Sequence, residues 1–233
     1  CRFLSRFPFA AHVVHIIQYY PYYVKYLLSV PVFRTGFVWY NTAMNDEFEK
    51  IYRVLESAST ERPSTIVAID GPCASGKTSL AKKIAQRCRA RVIPMDDFFL
   101  PPELRTPQRY AQPGGNVHYE RFLKEVAPFL GEEQIGKEIS YRPFCCKEMA
   151  FGPLRRIPWA PVTVVEGSYS LHEALRSLYD IRIFLTVDAE EQERRIRSRE
   201  GPEGLVIFKE KWIPLESRYF ETGHPEKCCD FIL

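Results

Sequence analysis

The stretch Gly71-Pro72-Cys73-Ala74-Ser75-Gly76-Lys77-Thr78 leaves few folds open to this chain. It follows a β-rich run, Thr65-Ile66-Val67-Ala68-Ile69-Asp70. A helical pattern comes next, with Leu80, Ile84 and Cys88 on one side and Lys82, Lys83 and Arg87 on the other. Strand, glycine loop and helix, in that order, is the context in which G-x-x-x-x-G-K-[ST] wraps phosphates. Glycine at 71 and 76 permits a tight turn and close approach of the backbone to an anion. Successive N–H groups from Gly71 through Ala74, Ser75, Gly76, Lys77, Thr78 and Ser79 then present positive partial charge at a helix N-terminus. Lys77 is placed for the β- and γ-phosphates and the Thr78 hydroxyl for Mg²⁺. An ordinary glycine turn lacks this full spacing with both flanks. The expected ligand is therefore ATP or another nucleoside triphosphate.

What the chain would do with a triphosphate has to be read elsewhere. Its 233 residues suffice for one α/β domain with a real core. A formal net charge of +3 gives no reason to expect nucleic-acid binding. The seven cysteines include two adjacent pairs, Cys145-Cys146 and Cys228-Cys229, and no CxxC spacing. That pattern reads as reduced thiols of a cytoplasmic protein, with neither a zinc site nor a disulfide framework.

The leader is rich in Tyr, Phe, Val and Ile from Phe7 to Val38. Pro8, His12, His15, Gln18, Pro21, Lys25 and Pro31 interrupt it, so no run approaches the ~20 apolar residues of a spanning helix. No stable membrane insertion is expected, and no small-residue cleavage site marks a secretory signal. The first methionine is Met44, and Asp46 with Glu49 makes a capping box there. Phe48, Ile51, Tyr52 and Leu55 then share a helix face. The expectation is a functional domain of residues 44–233 that opens with a helix and linker at 44–62. Residues 1–43 are read as upstream sequence, with a membrane-surface segment as the alternative.

Beyond the loop, Arg91-Val92-Ile93-Pro94-Met95 reads as a strand running into Asp96-Asp97-Phe98-Phe99. Working groups in open α/β sheets sit just past the C-terminal ends of strands. Asp96 is thus in place for a general base, or is a solvated loop carboxylate over core phenylalanines. A long loop with Pro101, Pro102, Pro107, Pro113, Gly114 and Gly115 follows, then a helix with Tyr119, Phe122, Leu123, Val126 and Leu130 on one face. Residues 138–160 lack helical period and read as a β-hairpin or extended flap. Its Tyr141, Arg142 and Phe144 are placed to touch an acceptor or to pin the flap down.

Pro161-Val162-Thr163-Val164-Val165 reads as a buried strand that ends in Glu166, the Walker-B arrangement for holding Mg²⁺ together with Thr78. Ser170 and Glu173 suggest a capping box for a helix through Leu171, Ala174, Leu175 and Leu178. A further strand, residues 181–187, leads to Asp188, which with Glu191 caps a helix carrying Arg194, Arg195, Arg197 and Arg199. Arginines there suit phosphate oxygens, or pair with the neighbouring glutamates on a solvated surface. Trp212, Pro214, Leu215, Tyr219 and Phe220 read as packing, and Cys229-Asp230-Phe231-Ile232-Leu233 as a last strand.

Together these pieces resemble the uridine kinase and phosphoribulokinase family of P-loop kinases from about Ile66 to Leu233. The resemblance rests on Met95-Asp96-Asp97-Phe98-Phe99, Tyr141, Val165-Glu166-Gly167, Arg194-Arg195 and the closing segment. It implies a three-layer α/β P-loop fold with a parallel sheet, a small flap insertion and a helical lid at 189–212. It implies that Asp96 is the base on a nucleoside 5′-hydroxyl, that Lys77, Arg194 and Arg195 act with it, and that Glu166 serves Mg²⁺. It places Phe99 and Tyr141 on the acceptor side, and Asp97, Asn116, His118 and Arg142 are expected there from their positions in the chain. Two departures stand out. The family's ribose-gripping aspartate has no counterpart in Gly115-Asn116-Val117-His118-Tyr119, and Arg142 replaces a usual acid. The expected function is ATP-dependent phosphorylation of uridine or cytidine. The alternatives are a kinase for an anionic metabolite such as a nucleoside monophosphate, and a nucleotide-binding regulatory module without an acceptor. The partner is a small molecule, and a homo-oligomer is compatible with everything above.

Overall fold

The computed structural model describes the backbone of residues 31–233 and the side chains of residues 46–233. The sequence reading of residues 1–30 falls outside the described residues. Two compact units divide the chain, residues 1–50 and 51–233. Helix α1 (Pro31–Glu61) contributes to both. It runs through Met44 and Asp46, so the capping box at Asp46 and Glu49 does not start a helix. After Pro31 no further proline interrupts the segment, and the lone Gly36 costs a helix only about 1 kcal/mol. In the second unit Ile51, Tyr52 and Leu55 are buried, as their spacing predicts.

The second unit is built on β1 (Thr65–Asp70), whose six residues are all buried. Such a continuous apolar run belongs in a parallel sheet covered on both faces. Strands β2 (Arg91–Pro94), β7 (Val162–Glu166), β8 (Ile181–Phe184) and β9 (Phe231–Ile232) join it in the order β2-β7-β1-β8-β9, every pairing parallel. The register decides where the chemistry goes. Ile69 pairs with Glu166 and Pro94 pairs with the same Glu166. Three chain segments therefore leave the sheet side by side: the glycine loop, the turn after Glu166, and Met95-Asp96.

Helix α2 (Lys77–Cys88) packs Leu80, Ala81 and Ile84 inward and starts after Gly76 in the left-handed region. The long loop carries α3 (Pro107–Ala111), where the Thr106 hydroxyl accepts the Arg109 N–H at 3.1 Å. Helix α4 (Tyr119–Glu125) is shorter than its apolar pattern suggests. Pro128 cannot extend it, and a 3₁₀ turn at Ala127–Phe129 follows. The flap consists of two antiparallel pairs, β3 (Ile139–Tyr141) with β6 (Arg155–Ile157) and β4 (Phe144–Cys145) with β5 (Ala150–Phe151).

The helix expected after Ser170 does not form. Residues 171–175 turn irregularly, and only a 3₁₀ turn at Arg176–Leu178 appears. Asp70 holds the N–H groups of Tyr169 and Leu171, and Tyr169 is left-handed at φ 73°, so the chain enters the segment in a turn. The Ser170 hydroxyl donates back to Gly167 O instead of capping. Helix α5 (Ala189–Ile207) is capped by Asp188 as expected, and breaks at Gly201, whose φ is 77°. A π turn at Phe208–Trp212 leads into α6 (Ile213–Gly223).

Candidate functional site

Two glycines bring the site's segments together. Gly71 has φ +139°, and a Cβ there would lie 2.2 Å from the Leu185 carbonyl oxygen. Gly167 has φ +140°, and a Cβ there would lie 2.9 Å from the Met95 Cβ. Only glycine lets the turn after Glu166 pack this closely on the segment that carries Asp96.

Within the loop, the Lys77 ammonium donates to Gly71 O at 2.8 Å and Pro72 O at 2.7 Å. Its third N–H is left for an anion. The Thr78 hydroxyl lies 3.1 Å from each carboxylate oxygen of Glu166. Burial lifts the Glu166 carboxyl above its ordinary range, nearby Asp96 adds to this, and Thr78 and Lys77 pull it back. A hydroxyl and a carboxylate in mutual reach fit the few protein ligands that Mg²⁺ needs. No cluster of three or more His, Cys, Asp or Glu able to hold a metal occurs among the described residues.

Asp96 sits on a 3₁₀ turn (Met95–Phe98) anchored from below by Phe98. The Phe98 ring meets Phe122 edge-on at 5.1 Å and Tyr141 at 4.9 Å, under the Arg121 guanidinium. Asp96 is solvent-exposed yet crowded by protein, the signature of a carboxylate opening into a cleft. That crowding raises its pKa. Lys77 and Arg199 oppose the rise, and Glu216 and Asp97 reinforce it. Asp96 raises the Glu166 pKa and Lys77 lowers both, so the two carboxyls share the electrostatic neighbourhood of the loop lysine.

The residues expected on the acceptor side take different positions. Asp97 accepts the Tyr141 hydroxyl at 2.7 Å and an N–H of Arg155, pinning the flap to the Asp96 turn. Arg142 lies exposed on the flap. Phe99 is half-buried, with its ring 6.0 Å from that of Trp212, a residue read as packing. Both amide atoms of Asn116 are buried without a hydrogen-bond partner, with the Tyr169 hydroxyl near but outside bonding geometry. His118 Nδ1 is likewise buried and unpaired. On α5, Arg194 and Arg195 both pair with Glu191, and Arg195 also donates to Ala74 O at 2.9 Å.

No family model and no curated protein sequence matches the chain. Solved structures do. One, described as a possible uridine kinase from Bacillus stearothermophilus, is 17% identical. It aligns over 82% of this chain and 99% of its own length with a TM-score of 0.61. A candidate fructose transport system kinase from Silicibacter sp. is 20% identical over 73% of this chain and 90% of its own, with a TM-score of 0.56. A circularly permuted candidate P-loop kinase from Saccharomyces cerevisiae is 12% identical over 76% and 94%, with a TM-score of 0.52. The chain has the fold of the P-loop kinases.

Within this P-loop kinase fold, three side chains that sequence reasoning did not single out stand at the loop, Glu216, Gln192 and Ser168. Arg199 acts electrostatically on both Asp96 and Cys73. Glu216, Gln192 and Ser168 are buried against the loop. Glu216 had a readable signal, as a charged residue on the helix face that also carries Ile213, Tyr219 and Phe220. Cys73, at the third loop position, is buried beside Glu216, and burial with that carboxylate pushes its thiol up to about 12. A thiol this far above its ordinary range is not a nucleophile at neutral pH. Iodoacetamide at pH 8 is expected to leave Cys73 unmodified in the folded chain while half-buried Cys145 and Cys228 react, as read by peptide mass mapping.

Proposed function

We propose that the chain is an ATP-dependent phosphotransferase acting on a hydroxyl of a small molecule, with uridine or cytidine converted to the 5′-monophosphate as its preferred reaction. One juxtaposition carries this reading: Asp96 opens into the cleft within electrostatic reach of Lys77, beside the Thr78–Glu166 pair.

In the proposed reaction the N–H groups at the start of α2 and the Lys77 ammonium hold the triphosphate of ATP. The Gly71, Cys73 and Ser75 N–H groups expected to serve it are instead given to Asp70, Glu216 and Pro72 O. Thr78 and Glu166 hold Mg²⁺, which when bound neutralises charge on the β- and γ-phosphates. Asp96 takes the proton of the acceptor hydroxyl as its oxygen bonds to the γ-phosphorus. The bond from that phosphorus to the β-phosphate oxygen breaks, and ADP leaves. A base raised toward the working pH suits this step. Arg199, paired with Glu200, lends positive charge to the surroundings of Asp96, while Arg195 holds the loop and Arg194 stays bidentate on Glu191.

A neutral acceptor is supported by charge. Arg155, the flap arginine that reaches the cleft acids, is already paired with Asp97, and Arg142 lies exposed. The Phe99 and Trp212 rings offer a surface to a base. That one structural neighbour is described as a possible uridine kinase agrees with this choice.

A panel of acceptors with γ-labelled ATP and Mg²⁺ tests the proposal. Label is expected in a monophosphate made from uridine or cytidine, and chelation of Mg²⁺ should abolish it. Transfer only to nucleoside monophosphates would establish the anionic acceptor. Nucleotide binding with no labelled product from any acceptor would favour the regulatory module.

A further inference from the structure

Glu216 lies on α6 with 6% of its surface exposed, a carboxylate on a helix face otherwise turned to the core. Its Oε2 accepts the Cys73 N–H at 2.8 Å and its Oε1 accepts the Ser168 hydroxyl at 2.6 Å. From α5, buried Gln192 donates its Nε2 to Cys73 O at 3.0 Å, and Arg195 donates to Ala74 O. Side chains from two later helices thus hold successive backbone groups at the apex of the loop: the N–H and C=O of Cys73, then the C=O of Ala74. Ala74 has φ 60°, a left-handed conformation unfavourable to any residue with a Cβ. Such a conformation persists where its surroundings over-determine it. The peptide planes it sets determine where the N–H groups of Gly76 and Lys77 point, while the Ser75 N–H closes the turn on Pro72 O at 3.1 Å. A buried carboxylate beside Asp96 is a like-charge cost, and an apolar residue at 216 would avoid it. An apolar residue would also leave the Cys73 N–H and the Ser168 hydroxyl without this acceptor.

We propose that Glu216 is a positioning residue for nucleotide binding, which fixes the apex of the phosphate loop through the Cys73 N–H, with Gln192 completing the grip from α5. This rests on the reading of the loop as a nucleotide site. The grip comes from helices that follow the loop by more than a hundred residues, so its shape is set from outside the motif.

The test is the Kd of a non-hydrolysable ATP analogue, measured by calorimetry on the full chain, alongside the KM values for ATP and acceptor. Glu216→Ala is expected to weaken the analogue by roughly ten- to a hundredfold, the effect of losing a hydrogen bond to a charged group. The ATP KM should rise in step, with the acceptor KM within about threefold, since a hydrogen bond on the nucleotide side alone is lost. Glu216→Gln keeps an oxygen for the Cys73 N–H and should recover at least half of the loss on a logarithmic scale. Damage to the fold alone would lower the active fraction and leave the Kd of the folded remainder unchanged. If Glu216→Ala does not fold, Gln192→Ala carries the test, with a severalfold weakening expected. Binding as tight as wild type in whichever variant folds overturns the grip alone. A wild-type chain that binds no nucleotide overturns both the grip and the function proposed above.

Discussion

Asp96→Asn is expected to lower kcat for phosphoryl transfer by about a thousandfold, within the range for loss of a general base, while the nucleotide Kd stays within about threefold. The side chains are nearly the same size, so the 3₁₀ turn held by Phe98, Phe122 and Tyr141 is left intact. What disappears is the group that takes the hydroxyl proton. The analogue should bind slightly tighter, because a negative charge near the triphosphate is removed. In wild type, crowding and the nearby Glu216 and Asp97 raise the Asp96 pKa. The acidic limb of the rate profile should therefore lie above the ordinary aspartate range, and it should vanish in the residual activity of the variant. A variant that transfers phosphoryl at the wild-type rate would return Asp96 to the role of a solvated loop carboxylate.

The parts of the site that could be read from the sequence are those written in local patterns. The loop spacing, the buried run of β1 and the acids at two strand ends each need fewer than a dozen neighbouring residues. Parallel register then aligned them, with Ile69 and Pro94 flanking Glu166. What escaped depends on distant partners. Leu171 to Leu178 have a helical pattern, but a carboxylate a hundred positions earlier holds the N–H groups of Tyr169 and Leu171 and sets a turn there. Four arginines share α5, and their spacing alone does not say which meets the cleft. Arg195 reaches Ala74 and Arg199 reaches the field of Asp96 because the loop happens to pack against that face. Glu216 was legible as an anomaly on an apolar face, but its partners at 73 and 168 were not. The flap pairing of Asp97 with Arg155 and Tyr141 is likewise a product of tertiary packing.

The largest stability effect is expected at Asp70, just before the loop. Its Oδ1 accepts the Gly71 N–H at 2.6 Å and the Tyr169 N–H at 3.1 Å. Its Oδ2 accepts the Leu171 N–H and the Tyr219 hydroxyl, both at 2.8 Å. One fully buried carboxylate thus ties the loop, the turn after Glu166 and α6 together. Asp70→Ala strands four buried donors, at about 1–3 kcal/mol each before relaxation. A net loss of about 3–5 kcal/mol at pH 7.5 is expected, lowering Tm by about 10 °C for a chain of this size. The pH dependence has a definite sign. Burial raises the Asp70 pKa from 3.8 to about 6, against the lowering effects of its backbone donors, Lys77 and Tyr219. Below about pH 4 both folded and unfolded chains hold the proton, and the full benefit of this raised pKa is present. Between about 4 and 6 only the folded chain holds it, so stability from this group falls as pH rises, by up to about 3 kcal/mol in all. The penalty of Asp70→Ala should therefore be larger at pH 4 than at pH 7.5. Urea denaturation of wild type and variant at both pH values measures it. A penalty that is equal at the two, or larger at 7.5, would mean that Asp70 is ionised throughout and that its four donors outweigh the cost of burying its charge.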